Sequence, residues 1–142
     1  MKTYKYYQPN KKDLKDEQGD CAIRALSKFL GITWLEAFDL LVGYARETQK
    51  MINNMENMKL CLEDLGISYV SVYKPKEKKK TTVSSFVKSH KSDTFILYVR
   101  SGYGTYLVCC QDGKYFDTWD CGDCIVYGYF EKRKEVEPCA DI

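Results

Sequence analysis

The chain has 142 residues and a formal net charge of +2, with 44% hydrophobic and 30% charged residues. This length is enough for one domain with its own core, and the composition excludes both a disordered chain and a membrane protein built on long apolar segments. The small net charge gives no indication of nucleic-acid binding. We therefore expect a single domain over residues 1–132 and a solvated tail over 133–142, with no nucleic-acid or membrane partner.

The amino-terminal segment and the cysteines indicate a reducing compartment. The first 16 residues contain no continuous apolar stretch of the kind that a secretory signal needs. Seven cysteines is an odd number, and without such a signal reduced thiols are expected rather than a disulfide framework. The sequence therefore predicts a cytoplasmic protein. Residues 1–17, rich in Lys and Tyr, are predicted to form an extended arm packed along the domain.

Three helices are predicted in the first half of the chain. Apolar residues at helical spacing follow Cys21, and Gly31 is a natural end for this first helix. Thr33 begins the pattern of a capping box at the start of the second helix. Asn54 is placed to cap the third helix, which Gly66 terminates.

Strand patterns dominate the second half. β-branched and aromatic residues predict strands over residues 67–73, 94–99, 105–111, 114–120 and 124–130, with a short helix over 82–90. The charged segment "PKEKKK" between the first strand and that helix is predicted to be a surface connection. Helices first and a mainly antiparallel sheet afterwards predict an α+β domain, with the N-terminal helices packed on the sheet.

The segment "YLVCCQDGKYFDTW" predicts a hairpin whose register can be drawn. Asp112-Gly113 favours a two-residue type I′ turn, because both central positions of that turn have positive φ. Tyr106 and Asp117 then become diagonal neighbours, about 7–8 Å apart between Cα atoms. The strand pattern alone predicts a structural hydrogen bond at a sheet edge for this pair. The residues that share one face in this register are Tyr106, Val108, Cys110, Tyr115, Asp117 and Trp119.

A cysteine at the head of the first helix, followed by a sheet hairpin, resembles the papain-like cysteine peptidases, and the Asp20-Cys21 dipeptide is similar to the start of the C39-type branch. The segments "YYQPNKKDLKDEQGDCAIRALSKFLGITWLEAFDLL" and "DGKYFDTWD…YGYFEK" look more closely like uncharacterised peptidase-like proteins of phages and prophages of Gram-positive bacteria. This resemblance covers roughly residues 4–132 and implies a papain-like fold. It also implies a nucleophile at Cys21, a histidine at the position of Tyr106 and an orienting carboxylate at Asp117.

Cys21 and Asp117 are residue types that thiol catalysis uses at these positions, whereas Tyr106 is not. A helix N-terminus lowers the pKa of a thiol, and an imidazole oriented by a carboxylate moves the proton. Tyrosine, with an ordinary pKa of about 10, is a poor base at neutral pH. The oxyanion donor departs as well: C39-type enzymes carry Gln six residues before the cysteine, where this chain has Lys15, and Gln18 would need a different loop geometry.

The favoured hypothesis is a pseudoenzyme, a papain-like fold that keeps the cleft, Cys21 and Asp117 but has Tyr106 in place of the catalytic base. Such a protein would bind a host protein or a small ligand in the cleft, with no cofactor and no metal. The resemblance to phage-borne proteins suggests a role in countering bacterial defence. The expected binding residues are Gln18, Asp20, Tyr106 and Trp119.

Two alternatives stay open. An active cysteine peptidase or acyl-transfer hydrolase would need a non-standard base, and the only histidine, His90, is expected at the C-terminal end of the helix over 82–90. A structural component of a phage or its host is the other alternative. Cys121 and Cys124, in CxxC spacing, are interpreted as ordinary turn or strand thiols, because a zinc site needs two further ligands.

Overall fold

The computed structural model describes residues 3–16, 18–102 and 104–132, so the predicted tail over 133–142 lies outside the described residues. The helices in this part of the chain are α1 (Cys21–Leu30), α2 (Trp34–Thr48), α3 (Met55–Asp64) and α4 (Val83–Ser89). The strands are β1 (Tyr4–Tyr6), β2 (Tyr69–Ser71), β3 (Thr94–Ser101), β4 (Gly104–Gln111), β5 (Lys114–Asp117) and β6 (Ile125–Lys132). The predicted α+β class is confirmed.

The strands form one sheet in the order β1-β5-β4-β3-β6-β2. β1 lies parallel to β5 at one edge, and the other pairings among the described strands are antiparallel. The predicted N-terminal arm therefore supplies an edge strand, with Tyr4 opposite Tyr115. At the other edge the predicted strand over 67–73 is shorter than expected and pairs with β6 only over Tyr69–Ser71.

The β4–β5 hairpin has the register that its turn residues predict. Asp112 and Gly113 both have positive φ, 53° and 76°. Cys110 pairs with Tyr115, as drawn from the sequence. β5 ends at Asp117, three residues earlier than predicted, and the Asp117 side chain accepts the next backbone amide at 2.7 Å. A side chain that takes this amide replaces the ladder with a local turn.

Two buried clusters lie on the two faces of the sheet. Ile96 and Leu97 are adjacent on β3 and belong to different clusters, as the alternation of a pleated strand requires. The N-terminal helices cover one face, where Leu26 of α1 and Leu62 of α3 join Ile96, as predicted. α4 covers the opposite face through Phe86. None of the described helices is both long enough and apolar enough to cross a membrane.

Of the first three helices, α2 and α3 have a side-chain cap at the N-terminus and α1 does not. Thr33 Oγ1 accepts from the Glu36 amide at 3.1 Å while the Glu36 carboxylate accepts from the Thr33 amide at 3.0 Å, which is the predicted capping box of α2. Asn54 accepts from the Glu56 amide at 2.9 Å and caps α3. Asp20, at the corresponding position before α1, makes no capping bond with its side chain. Its carboxylate is therefore used for another contact.

Candidate functional site

Cys21 opens α1 and packs against the helical side of the core. Burial raises the pKa of its thiol, and this effect exceeds the lowering by a hydrogen bond with the Leu107 backbone and by the Arg24 charge. The expectation that the helix N-terminus lowers this pKa is therefore wrong in direction, because desolvation of the thiolate outweighs the favourable dipole. The thiol is protonated at neutral pH.

Tyr106 and Asp117 make the contact that the hairpin register predicts. The Tyr106 hydroxyl donates to Asp117 Oδ1 at 2.5 Å, and the Thr118 backbone amide donates to the same oxygen at 2.7 Å. Asp117 is only 2% exposed. Burial, followed by the charge of Asp117, raises the pKa of Tyr106 far above its usual value. The phenol is a fixed proton donor at this position and cannot act as a base at neutral pH.

Arg24, one turn into α1, was not predicted as a site residue, yet it joins the parts of the site. Its Nη1 donates to Asp20, and its Nη2 donates to the Tyr106 hydroxyl at 2.7 Å and to Asp117 Oδ1 at 3.2 Å. Trp34 Nε1 donates to the second oxygen of Asp20 at 2.8 Å. We call Asp20, Arg24, Trp34, Tyr106 and Asp117 the Arg24 network.

The Arg24 network places one guanidinium between two carboxylates in a buried region. Arg24 is 6% exposed and Asp20 is 4% exposed. Burial raises the pKa of the Asp117 carboxyl, while the hydrogen bonds from Tyr106 and the Thr118 amide and the charge of Arg24 act in the opposite direction. This balance explains how a carboxylate is tolerated here, since a buried charge needs a cation and hydrogen-bond donors.

Two polar atoms of the network are not satisfied. Asp117 Oδ2 and Arg24 Nε are buried and have no hydrogen-bond partner among the described residues. The Cys121 thiol interacts with the Asp117 carboxyl, but it is not in hydrogen-bonding geometry with Oδ2. Because each unpaired buried polar atom carries a desolvation cost, the network is held together by its ion pairs rather than by complete hydrogen bonding.

Of the other predicted binding residues, Asp20 is buried, whereas Gln18 and Trp119 are exposed. Asp20 was expected to contact a ligand, but both of its carboxylate oxygens are engaged by Arg24 and Trp34. Gln18 is exposed, and its backbone amide donates to Asp13 at 3.1 Å. Trp119 is 42% exposed and packs edge-on against Tyr106, with the ring centroids 5.6 Å apart. Trp119 therefore connects the Arg24 network with the surface.

A cavity of about 530 Å³ adjoins this connection. Trp119 and Cys121 line it, and its volume lies within the range of small-ligand sites. Other residues around it are Arg100, Asp120, Asp123 and Tyr127. A larger cavity, of about 600 Å³, is lined by Leu30, Ile67 and Val70, and it contains none of the residues predicted to form the site.

His90 lies away from Cys21. Its ring stacks on Phe86 with the centroids 3.9 Å apart, and Nδ1 hydrogen-bonds to the Phe86 carbonyl at 2.9 Å. It also packs against Phe95, whose partner on β4 lies four residues beyond Tyr106, about 13 Å along a strand at about 3.3 Å per residue. Cys21, in contrast, packs against the cluster on the opposite face of the sheet. The chain's only imidazole is therefore not positioned to act on this thiol.

The CxxC segment forms a turn in which the Cys124 amide donates to the Cys121 carbonyl at 3.0 Å. Burial raises the pKa of both thiols. Cys109 and Cys110 belong to the clusters on opposite faces of the sheet. In the ranges that the structure describes, no group of three or more His, Cys, Asp or Glu side chains is arranged to hold a metal ion.

Comparison with protein-family models, with curated proteins and with solved structures found no match to this chain. What the molecule does has to follow from its own residues. Among these, Arg24 joins α1, the helix that Cys21 opens, to the Tyr106–Asp117 pair on the hairpin, and the charges of Arg24 and Asp117 act on the Cys21 thiol.

Proposed function

We propose that this protein is a papain-like pseudoenzyme, which has the cysteine and carboxylate of a cysteine peptidase, has no base between them, and acts by binding. The observation that carries the proposal is the hydrogen bond from the Tyr106 hydroxyl to Asp117 Oδ1. In a thiol peptidase the group between thiol and carboxylate has to accept a proton. Tyr106 already holds its proton and shares it with Asp117, so it accepts none from Cys21.

Arg24 is a second obstacle to catalysis. Its Nη2 hydrogen-bonds both to Tyr106 and to Asp117, the two positions that an imidazole–carboxylate pair would use. A fixed guanidinium also raises the free energy of an imidazolium formed beside it, because like charges repel strongly in a buried site. A histidine at position 106 would therefore have a depressed pKa and a carboxylate that Arg24 already holds.

Binding is supported by the surface beside the Arg24 network. Trp119 presents an exposed ring next to the cavity of about 530 Å³ and contacts Tyr106 through its edge. Tryptophan offers a large contact area at low entropic cost and is enriched among residues that dominate binding energies. The partner in this proposal is a host protein or small ligand in the bacterial cytoplasm, and the likeness to phage-borne proteins directs the search to components of bacterial defence.

The reactivity of Cys21 tests the loss of catalysis. The rate of alkylation by iodoacetamide is measured from about pH 5 to about pH 10 in a Cys139→Ser background, with Cys21→Ser as the control for the remaining thiols. We expect a pKa above the ordinary thiol value of about 8.5, because burial raises it. Peptide substrates should be turned over no faster than by Cys21→Ser. An apparent pKa below about 7, or turnover that disappears in Cys21→Ser, would contradict the proposal.

Restoring the base tests the role of Arg24. A working general base contributes about 10²-fold or more in rate. We expect Tyr106→His to change the alkylation rate of Cys21 by less than about threefold at neutral pH, because Arg24 still holds Asp117. A gain of about tenfold or more from this single substitution would show that Arg24 is no obstacle. Circular dichroism of the variant confirms that the comparison is made on folded protein.

A further inference from the structure

Residues 74–80 and Arg100 carry the excess positive charge of the chain. The segment contains five lysines and one glutamate, and together with Arg100 it has a net charge of +5. The whole chain has a net charge of +2, so the remaining residues together carry −3. We call residues 74–80 with Arg100 the basic loop. Its charge is concentrated on one part of the surface of an otherwise slightly acidic molecule.

Both ends of the basic loop are fixed to β6. The amides of Val72 and Tyr73 donate to the Tyr127 carbonyl at 2.8 and 3.1 Å on one side of the loop. On the other side, the Val126 amide donates to the Thr81 carbonyl at 2.8 Å. Because the flanking backbone is bonded to the sheet, a partner that binds the loop does not have to order its ends.

Lys80 closes the loop from within. Its Nζ donates to the Lys74 carbonyl at 2.7 Å and to the following carbonyl at 3.1 Å, and it lies 4.6 Å from the centre of the Tyr73 ring. Tyr73 stacks on Tyr127 with the centroids 4.1 Å apart, and Arg100 lies 4.9 Å from the centre of the Tyr127 ring. Each tyrosine ring is thus flanked by the other ring and by a cation.

The remaining lysines of the loop are exposed. Lys74 lies 3.8 Å from Glu77 in a solvent-exposed ion pair. Lys76, Lys78 and Lys79 make no ion pair with any described residue. Three ammonium groups with no ion pair in the described part of the chain, on a short segment with fixed ends, form a local positive field that a carboxylate-rich chain would neutralise.

We infer that the basic loop is a docking surface for an acidic segment of a partner protein. A nucleic acid fits this surface less well, because Tyr73 and Tyr127 have no free ring pair on which bases could stack. The net negative charge of the remaining residues also opposes a long phosphate chain, whereas a short run of Asp and Glu needs only the loop. The inference rests on the binding role proposed above, but it uses residues outside the Arg24 network.

Fluorescence anisotropy tests the docking surface with a labelled peptide of about ten residues that carries about six carboxylates. The full chain should bind this peptide, and the affinity should fall when salt is raised from about 50 to about 300 mM. The triple variant Lys76→Gln/Lys78→Gln/Lys79→Gln should bind about tenfold more weakly, the sum of three exposed charge contacts. Because these side chains are exposed, the circular dichroism of the variant should match that of the unmodified chain.

The matched control removes the same charge elsewhere. Lys11→Gln/Lys12→Gln/Lys15→Gln changes three exposed lysines of the N-terminal segment and should leave the affinity within about twofold. Equal weakening in both triple variants would overturn the inference, as would the absence of peptide binding. Tighter binding of a single-stranded oligonucleotide of equal charge would also overturn it. Binding that is unchanged in Cys21→Ser would support the inference and separates it from the thiol measurements.

Discussion

Substitution of Arg24 by methionine removes the charge that joins α1 to the hairpin while it keeps most of the side-chain length. Arg24 donates to Asp20, to Tyr106 and to Asp117, so three partners lose a donor in one step. The two carboxylates are 4% and 2% exposed, and neither gains water as a replacement without local opening of the structure. The variant therefore leaves two buried negative charges without their cation.

The expected loss can be worked out from these contacts. Breaking a buried ion pair by removing one partner costs about 3–5 kcal/mol. Trp34 still donates to Asp20, and Tyr106 still donates to Asp117, so each carboxylate keeps part of its stabilisation. We therefore expect Arg24→Met to lower the free energy of unfolding by about 3 kcal/mol, the lower end of that range.

Urea unfolding followed by tryptophan fluorescence measures this loss. The matched control is Arg46→Met on α2, an exposed arginine whose removal should change stability by less than about 0.5 kcal/mol. Adding Asp117→Asn to Arg24→Met should recover about 1 kcal/mol, because it removes one of the uncompensated charges. A loss below about 1 kcal/mol in Arg24→Met would refute the view that Arg24 neutralises this buried site.

The same variant has a defined pH dependence. Burial raises the pKa of Asp117 in the folded protein, and removal of the guanidinium raises it further, since Arg24 acts to lower it. Between the pKa of an unfolded aspartate, about 3.9, and this raised value, the folded state binds more protons, so stability falls as the pH rises. The loss in free energy of unfolding caused by Arg24→Met should accordingly be smaller at about pH 5 than at about pH 7. A loss that grows on acidification would contradict this direction of the pH dependence.

Further predictions concern packing and alkaline stability. A β-carbon on Gly128 would lie 2.0 Å from the Tyr69 hydroxyl oxygen, so Gly128→Ala should destabilise by about 1–3 kcal/mol in urea unfolding. Gly43→Ala on α2 meets no atom within 4 Å and should stabilise by about 0.5–1 kcal/mol, and equal effects of the two changes would contradict this packing. Tyr115 donates to Asp120, and burial together with this bond raises the pKa of Tyr115 to about 12. An unfolded tyrosine loses its proton at about pH 10, so stability should fall as the pH rises from about 10 to about 12, and Tyr115→Phe should decline less over that range.

The hairpin and the position of Cys21 could be predicted from the sequence because their determinants are local. Asp112-Gly113 sets the turn, the turn sets the register, and the register places Tyr106 beside Asp117. Helical spacing and Gly31 define α1 in the same way, without reference to distant residues.

Arg24 could not be found by the same reasoning, because its partners Tyr106 and Asp117 lie 82 and 93 residues away in the chain. A single arginine in an amphipathic helix is usually read as part of the solvent-facing side. The signal that was available is that α1 has few polar residues, "CAIRALSKFL", and buries Arg24 and Ser27 as well as its apolar positions. A helix with so little polar surface has to bury some of its polar side chains.

The thiol pKa shows the limit of a local rule. Position at a helix start favours the thiolate, and this much is visible in the sequence. The depth to which Cys21 is buried depends on how α1 packs against β4, and burial decides the direction of the shift. The papain-like interpretation of Cys21 and Asp117 stays a prediction, since it depends on a resemblance that the geometry does not test.

The parallel pairing of β1 with β5 has a consequence for folding during synthesis on the ribosome. Tyr4 pairs with Tyr115, and Arg24 donates a hydrogen bond to Asp117. Both the N-terminal strand and α1 therefore need β5 to complete their contacts. At about 5–20 residues per second, β5 emerges about 5–20 s after α1. During that interval Arg24 has Asp20 beside it but lacks Tyr106 and Asp117, the two partners that join α1 to the hairpin. The helices are therefore synthesised well before the hairpin to which Arg24 bonds, and the domain should fold in one late step rather than half by half.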